Sequence, residues 1–204
     1  MKKIAVIGTH GVGKTTLCKS LSEYSKAQGK HVECVGEVVR ACPYPINAGM
    51  CYKAAEWIVM TQVLRERDAE RKNPDLIVCD RSFFDPMIYL DMTRKDYGKG
   101  EMHLHRGLRN FTTNFLFAYD VLYFVQPTGK SIESDGFRDT NKEFQEKIHN
   151  WFSEELDEAL DSYYRAKEEY SLDLDDDKII IINSDEVFDD PLTTVKRIYS
   201  KCFS

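Results

Sequence analysis

Eight residues near the start of the chain, Gly8-Thr9-His10-Gly11-Val12-Gly13-Lys14-Thr15, carry three glycines, with Gly8, Gly13 and a Lys-Thr pair at fixed spacing. Glycines there let backbone N–H groups wrap an anion with no Cβ in the way. The run follows the apolar segment Ile4-Ala5-Val6-Ile7 and opens a helical pattern. That strand–loop–helix context is the one in which such a loop holds phosphates. The start of the helix adds its partial positive charge. Lys14 is placed to reach the β- and γ-phosphates of a nucleoside triphosphate, and the Thr15 hydroxyl to ligate Mg²⁺. The expected nucleotide-binding set is Gly8, His10, Gly11, Val12, Gly13, Lys14, Thr15 and Thr16; the His10 ring itself is assigned no chemistry.

Two further groups of residues have the right chemistry to act on a bound phosphate. Asp80-Arg81-Ser82 ends the apolar run Leu76-Ile77-Val78-Cys79. An aspartate there can hold Mg²⁺, directly or through water, and the adjacent arginine can bind an anionic group of substrate or the transferring phosphate. Glu37, in Gly36-Glu37-Val38-Val39-Arg40, follows the second apolar run. A carboxylate at that place can accept a proton from a substrate hydroxyl or orient it for in-line attack. Arg40 lies one helical turn on and shares its face; the alternative for Glu37 and Arg40 is a plain ion pair between them.

Elements must bring these segments together. Apolar runs at 3–7, 31–35, 76–79, 121–125 and 178–182 read as five buried strands. Between them lie helical patterns. One covers 14–28 with Leu17, Leu21 and Tyr24 inward, and one covers 54–72 with Trp57, Met60 and Leu64 inward. Another opens at 85–90. Leu108, Phe111, Phe115 and Ala118 mark a fourth, and Phe144, Ile148, Phe152, Leu156 and Leu160 a long fifth. Asp190-Pro191 caps the last, with Leu192, Val195 and Tyr199 inward. Residues 41–53, with Pro43, Pro45 and Gly49, read as a loop. Short apolar strands alternating with helices mean a parallel sheet covered on both faces, with ligands at the carboxyl ends of the strands. Each motif above falls at such an end.

Taken together, the motifs resemble those of the P-loop nucleoside and nucleotide kinases, and most of all the branch that holds ribosylnicotinamide kinases and related small P-loop ATPases. The resemblance rests on Gly8–Thr15, Glu37 with Arg40, Gln62, Asp80, and the segment Asp135-Gly136-Phe137-Arg138. The Asp80-Arg81-Ser82 triplet is also similar to one in deoxynucleoside and thymidylate kinases. The resemblance implies an α/β, three-layer α-β-α P-loop NTPase fold over residues 1–204, with a five-stranded parallel sheet in the order 2-3-1-4-5. It implies a lid at 127–141 whose Arg138 closes over the phosphates, and a substrate-side insert at 83–107. Lys14, Glu37, Arg81 and Arg138 are then the catalytic set, and Thr15 and Asp80 hold the metal. Glu37, Arg40, Gln62 and Arg81 bind the acceptor, with Gln62 reading a base or amide by two hydrogen bonds.

The expected activity is transfer of the γ-phosphoryl of ATP, with Mg²⁺, to a nucleoside, a nucleotide or a related small-molecule hydroxyl. Two other readings stand beside it: a P-loop NTPase with a regulatory role, and a kinase acting on nucleic acid. No guanine-reading Asn-Lys-x-Asp segment is present. A net charge of −6 argues against a non-specific nucleic-acid coat. No apolar run approaches a membrane span, and the six cysteines form no Cys-x-x-Cys pair, which fits reduced thiols in a cytoplasmic protein. Cys34 and Cys79 read as small hydrophobes within strands. His103 and His105 read as surface residues, since two histidines alone complete no metal site. Residues 173–177 and Glu168-Glu169 read as a solvated acidic connection, and Asn183-Ser184-Asp185 as neighbours of the adenine ring. Phe83, Phe84, Tyr44 and Trp57 read as core rather than base-stacking residues. Oligomeric state stays open, a homodimer among the options.

Overall fold

Alternation along the central strands decides the architecture. In a computed structural model of the chain, which describes residues 1–93, 99–128, 142–172 and 177–203, β1 (Lys2–Ile7) is buried at every position after Lys2. Successive side chains of a strand point to opposite faces. Ile4 and Val6 accordingly join one apolar cluster, and Ala5 and Ile7 another. β3 (Leu76–Asp80) and β4 (Val121–Gln126) divide the same way. A strand apolar on both faces must be covered on both, so helices lie above and below the sheet.

The sheet has five parallel strands in the order β2-β3-β1-β4-β5, with β2 at Val32–Val35 and β5 at Ile179–Asn183 on its edges. Ile4 lies between Val78 and Val121 in register. One face packs on α1 (Lys14–Ala27) and α7 (Pro191–Phe203), through Leu17, Leu21, Val195 and Ile198. The other packs on α2 (Tyr52–Glu70), α3 (Asp85–Met92) and α5 (Lys142–Glu169), through Val59, Met87, Ile148 and Phe152. Helix α4 (Lys99–Asn114) adds Leu108 to that side, and the short α6 (Ser184–Asp189) adds Val187 to the other.

Several expectations about faces are corrected. On α2 the inward residues are Ala54, Ala55, Ile58, Val59, Gln62, Glu66 and Ala69, while Met60 and Leu64 are 44% and 66% exposed. The helix is turned because polar Gln62 and Glu66 find partners inside, which the apolar spacing alone does not register. Leu192 is likewise exposed on α7, although Val195 is buried as expected. Cys34 is exposed on the edge strand β2 and is no core residue. All six cysteines are free. The helix expected around Leu108 and Phe111 begins earlier, at Lys99, and gives way to a 3₁₀ turn at Phe115–Ala118. The segment 41–53 contains a second 3₁₀ turn at Asn47–Gly49. Phe83 and Phe84 are core, as expected, whereas Tyr44 is 39% exposed.

His105 corrects its expectation most fully: it is buried and hydrogen-bonded to Asp91. Asp91 also pairs with Arg109, which in turn pairs with Glu155 on α5. This chain of charges ties α3, α4 and α5 together. Burial of each ion is offset by its neighbour, whereas an unpaired buried ion costs several kcal/mol. Among the described residues no helix is long and apolar enough to cross a membrane.

Candidate functional site

The phosphate loop leaves the C-terminal end of β1, the central strand, and its two outer glycines are required by the local backbone. Gly8 has φ +129° and Gly13 φ +90°. A Cβ on Gly8 would lie 2.5 Å from the Val125 carbonyl oxygen, and one on Gly13 2.9 Å from the Val187 side chain. The loop thus fits between the ends of β4 and α6 only without side chains at these positions. Gly13 also serves as N-cap of α1 and places no side chain over its first N–H groups. Those donors stay available to an anion, together with the dipole of a 14-residue helix. Helix α5 braces the loop from behind. Gln145 Nε2 donates to the His10 carbonyl at 2.7 Å, and the Thr9 hydroxyl donates to the Gln145 carbonyl at 3.3 Å.

Lys14 is buried, and its Nζ donates to the Thr9 carbonyl at 2.5 Å. Burial first, and then the nearby Arg81, lower its pKa to about 7 against the opposing pull of Asp80, Asp85 and Glu37. Such an ammonium lacks a full counter-charge, which is the condition a phosphate would relieve. The Thr15 hydroxyl donates to Asp80 Oδ2 at 2.6 Å. Asp80 is 3% exposed, and its Oδ1 is buried with no hydrogen-bond partner among the described residues. An orphaned carboxylate oxygen beside a hydroxyl, at the foot of a phosphate loop, suits a hard cation that takes oxygen ligands. Among the described residues no group of three or more His, Cys, Asp or Glu side chains is arranged to hold a metal ion by itself.

Arg81 adopts a left-handed backbone, φ +81°, uncommon for a non-glycine residue and kept only where the surrounding structure over-determines it. Its N–H still reaches the Val6 carbonyl at 3.0 Å, so the turn comes directly off the sheet ladder. The turn aims the guanidinium across the strand ends. There it donates to Glu37 Oε1 at 2.8 Å, to Asp85 Oδ1 at 3.3 Å and to the Gly8 carbonyl at 3.5 Å. Arg40 holds the other oxygen of Glu37 at 2.8 Å. Burial acts to raise the Glu37 pKa, but the two guanidiniums and Lys14 overcome it and hold it at about 2. The ion pair expected as the alternative for Glu37 and Arg40 therefore does form, and Arg81 joins it.

Three hollows among the described residues meet at this cluster. An open one is lined by Thr15, Glu37, Arg40 and Asp80. Arg81 lines the other two. The smaller is formed by loop residues His10–Thr15 with Glu37 and Arg81. The larger runs under the 3₁₀ turn Val38–Ala41 toward α2 and α3. Apolar Val38, Ile46, Met50, Ile58 and Pro86 make most of its wall, and Glu37, Arg40, Gln62, Arg81 and Asp85 supply polar groups. Glu37 and Arg81 line both of these.

The structure thus brings together Lys14, Thr15, Glu37, Arg40, Gln62, Asp80 and Arg81 at the strand ends. Arg138, and with it most of the expected lid at 127–141, lies outside the described residues. Asn183 caps α6, its backbone N–H donating to Glu186 at 2.9 Å, and Ser184 accepts from the Thr128 N–H at 3.1 Å. Three residues of the cluster were not singled out from the sequence. Asp85 accepts from the Ser82 N–H at 2.9 Å and the Ser82 hydroxyl at 2.8 Å while holding Arg81. Its spacing from Arg81 carries no helix-face signal, because Arg81 lies in the turn before α3 begins at Asp85. Tyr89, its ring 5.7 Å from the Arg81 guanidinium, and Glu66, behind Gln62, have no mark in the sequence either.

A five-stranded parallel sheet in this order, with a phosphate loop at the end of its central strand, defines a P-loop NTPase fold. The chain belongs to an AAA domain family, whose model matches residues 3–170. A structure of deoxyadenosine kinase from M. mycoides, with the products dCMP and a flexible dCDP bound, is similar in fold. The TM-score is 0.52 at 19% identity, with 98% of this chain and 97% of that one covered. No curated protein matches the sequence.

Proposed function

We propose that this protein is a phosphotransferase that moves the γ-phosphoryl of ATP to a hydroxyl of a nucleoside, a nucleotide or a related small molecule. The observation that carries this reading is the position of Glu37 and Arg81, which line both the phosphate hollow and the larger, mostly apolar cleft. An acceptor held in the cleft would present its hydroxyl beside Glu37, within reach of a phosphate held by the loop.

In this reading Lys14 and the loop N–H groups neutralise the phosphates, and Lys14 regains its full charge as they arrive. Thr15 and Asp80 would hold Mg²⁺. The ion, when bound, shields phosphate charge and supports the leaving group. Glu37 is a weak base at a pKa of about 2, so its part is to accept a hydrogen bond from the acceptor hydroxyl and align it. A loose phosphoryl-transfer transition state asks for little more, since the nucleophile's proton leaves late. Arg81 keeps Glu37 in place and offers its remaining N–H groups to the transferring group. Arg40 steadies the other carboxylate oxygen.

The deoxyadenosine kinase of similar fold binds dCMP and dCDP, which makes nucleosides and deoxynucleosides the first acceptors to try. Incubation with ATP, Mg²⁺ and a panel of nucleosides, nucleotides and oligonucleotides should yield a phosphorylated small molecule. ATP consumption that no acceptor alters would overturn the proposal in favour of a regulatory NTPase, and phosphorylation of the oligonucleotides alone would place the activity on nucleic acid.

A further inference from the structure

Gln62 stands in the middle of α2 with only 2% of its surface exposed, and it lines the larger cleft. Its Nε2 donates to Glu66 Oε1 at 2.9 Å and to the Arg81 carbonyl at 3.2 Å. A primary amide has two N–H donors, so both are engaged. Neither partner tolerates the opposite orientation. The Arg81 carbonyl only accepts. The Glu66 carboxylate already accepts from the Tyr119 hydroxyl at 2.6 Å and from Lys3 Nζ at 3.3 Å. Turning the amide over would set its oxygen against two acceptors and take both N–H donors away from them. Lys3, Glu66 and Tyr119 are all buried, so water cannot easily substitute.

What Gln62 offers the cleft is therefore its carbonyl oxygen, which accepts no hydrogen bond from a described residue. This changes the expectation that Gln62 makes two hydrogen bonds to a base or amide: one acceptor remains. We propose that Glu66 is a positioning residue that locks the Gln62 carbonyl toward the cleft, so that the site selects acceptors whose ring system carries an amino or carboxamide N–H at that place and rejects counterparts with an oxygen there. The inference rests on the reading of this cleft as the acceptor site. It adds a substrate class: amino- or carboxamide-bearing ribosides.

Matched pairs that exchange only this group test it: cytidine against uridine, adenosine against inosine, nicotinamide riboside against nicotinic acid riboside. Transfer from ATP with Mg²⁺ gives kcat/KM for each, and calorimetry gives the binding constant. In the pair whose ring fits the cleft, the N–H-bearing member should be favoured by about 100-fold or more, because its counterpart meets an oxygen with an oxygen. Gln62→Leu should bring that ratio to within about threefold of unity with ATP affinity unchanged. Glu66→Gln, which frees the Gln62 amide to turn over, should cut the ratio about tenfold or more through KM with kcat nearly unchanged. A wild-type ratio near unity or reversed overturns the inference while leaving phosphotransfer intact. So does a Glu66→Gln variant that weakens both members equally, as a merely structural role would. Where Glu66→Gln does not fold, Gln62→Leu decides alone. If no acceptor is phosphorylated, the kinase reading falls and the binding ratios judge the inference by themselves; no binding by any member overturns both.

Discussion

Glu37 shows how far a single side chain's chemistry depends on its neighbours. A carboxylate at a strand end reads equally as a base, a hydroxyl anchor or half of an ion pair. With Arg81 and Arg40 each 2.8 Å from one of its oxygens, it is held ionised and is a poor proton acceptor. Glu37→Gln keeps the shape and one acceptor oxygen but loses the charge and the clamp. It should lower kcat by about 10- to 100-fold, the low end for a residue of this kind. Because the carboxylate titrates at about 2, the ratio of wild-type to variant rate should stay constant over roughly pH 5 to 8. A ratio that changes with pH in parallel rate profiles would mean that Glu37 gains a proton there and that the clamp is broken in the working complex. Asp85 acts one step further out. Asp85→Asn leaves Arg81 with one fewer counter-charge and should loosen Glu37, so kcat falls while ATP affinity, measured by calorimetry, holds within a few-fold.

The elements were legible in the sequence to different degrees, and the reasons are physical. Five strands and the loop between β1 and α1 could be read because central strands are apolar throughout and a glycine pattern fixes the loop, whereas the strand order followed only from the family resemblance those motifs carry. Helix α2 could not be oriented correctly. Its inner face holds Gln62 and Glu66, its outer face holds Met60 and Leu64, and apolar spacing points the wrong way when buried polar groups are satisfied by a distant lysine and tyrosine. The burial of His105 is hidden from the sequence for the same reason: its partner Asp91 lies on another helix, 14 residues away in sequence. The corrected face of α2 makes a direct prediction. Met60→Lys and Leu64→Lys should change unfolding free energy by no more than about 0.5 kcal/mol, whereas Ile58→Ala should cost about 2–5 kcal/mol in the same denaturant titration. At the carboxyl end of β1, Gly8→Ala meets a backbone carbonyl 2.5 Å away and a positive φ, neither of which relaxes cheaply. A loss of roughly 2 kcal/mol or more is expected, together with loss of nucleotide binding by calorimetry, because the loop and its strand move as one.

On the scale of the whole molecule, Lys14 links nucleotide binding to protonation and to stability. In the ligand-free protein burial holds its pKa near 7, so much of it is neutral at and above neutral pH. The unfolded chain restores the ordinary lysine value of about 10.4. Between these two pH values the unfolded state binds more protons than the folded one, so this group makes stability rise with pH. The rise is bounded by about 1.4 kcal/mol per pH unit and ends where the unfolded lysine also loses its proton. Phosphates in the loop reverse the situation, because an anion at the Nζ favours the ammonium. Binding of ATP above pH 7 should then take up a proton at Lys14, and ATP affinity should fall as pH rises, by at most about tenfold per unit. Lys14→Met removes the titrating group and should abolish both the uptake and this part of the pH dependence, besides weakening ATP binding by about 100-fold or more. Calorimetry at pH 8 in two buffers of different ionisation enthalpy measures the uptake directly, with the variant as reference for every other titrating group. Equal apparent enthalpies in the two buffers for the wild type would mean that Lys14 is already charged in the free protein, held so by the Asp80, Asp85 and Glu37 carboxylates against the cost of burial.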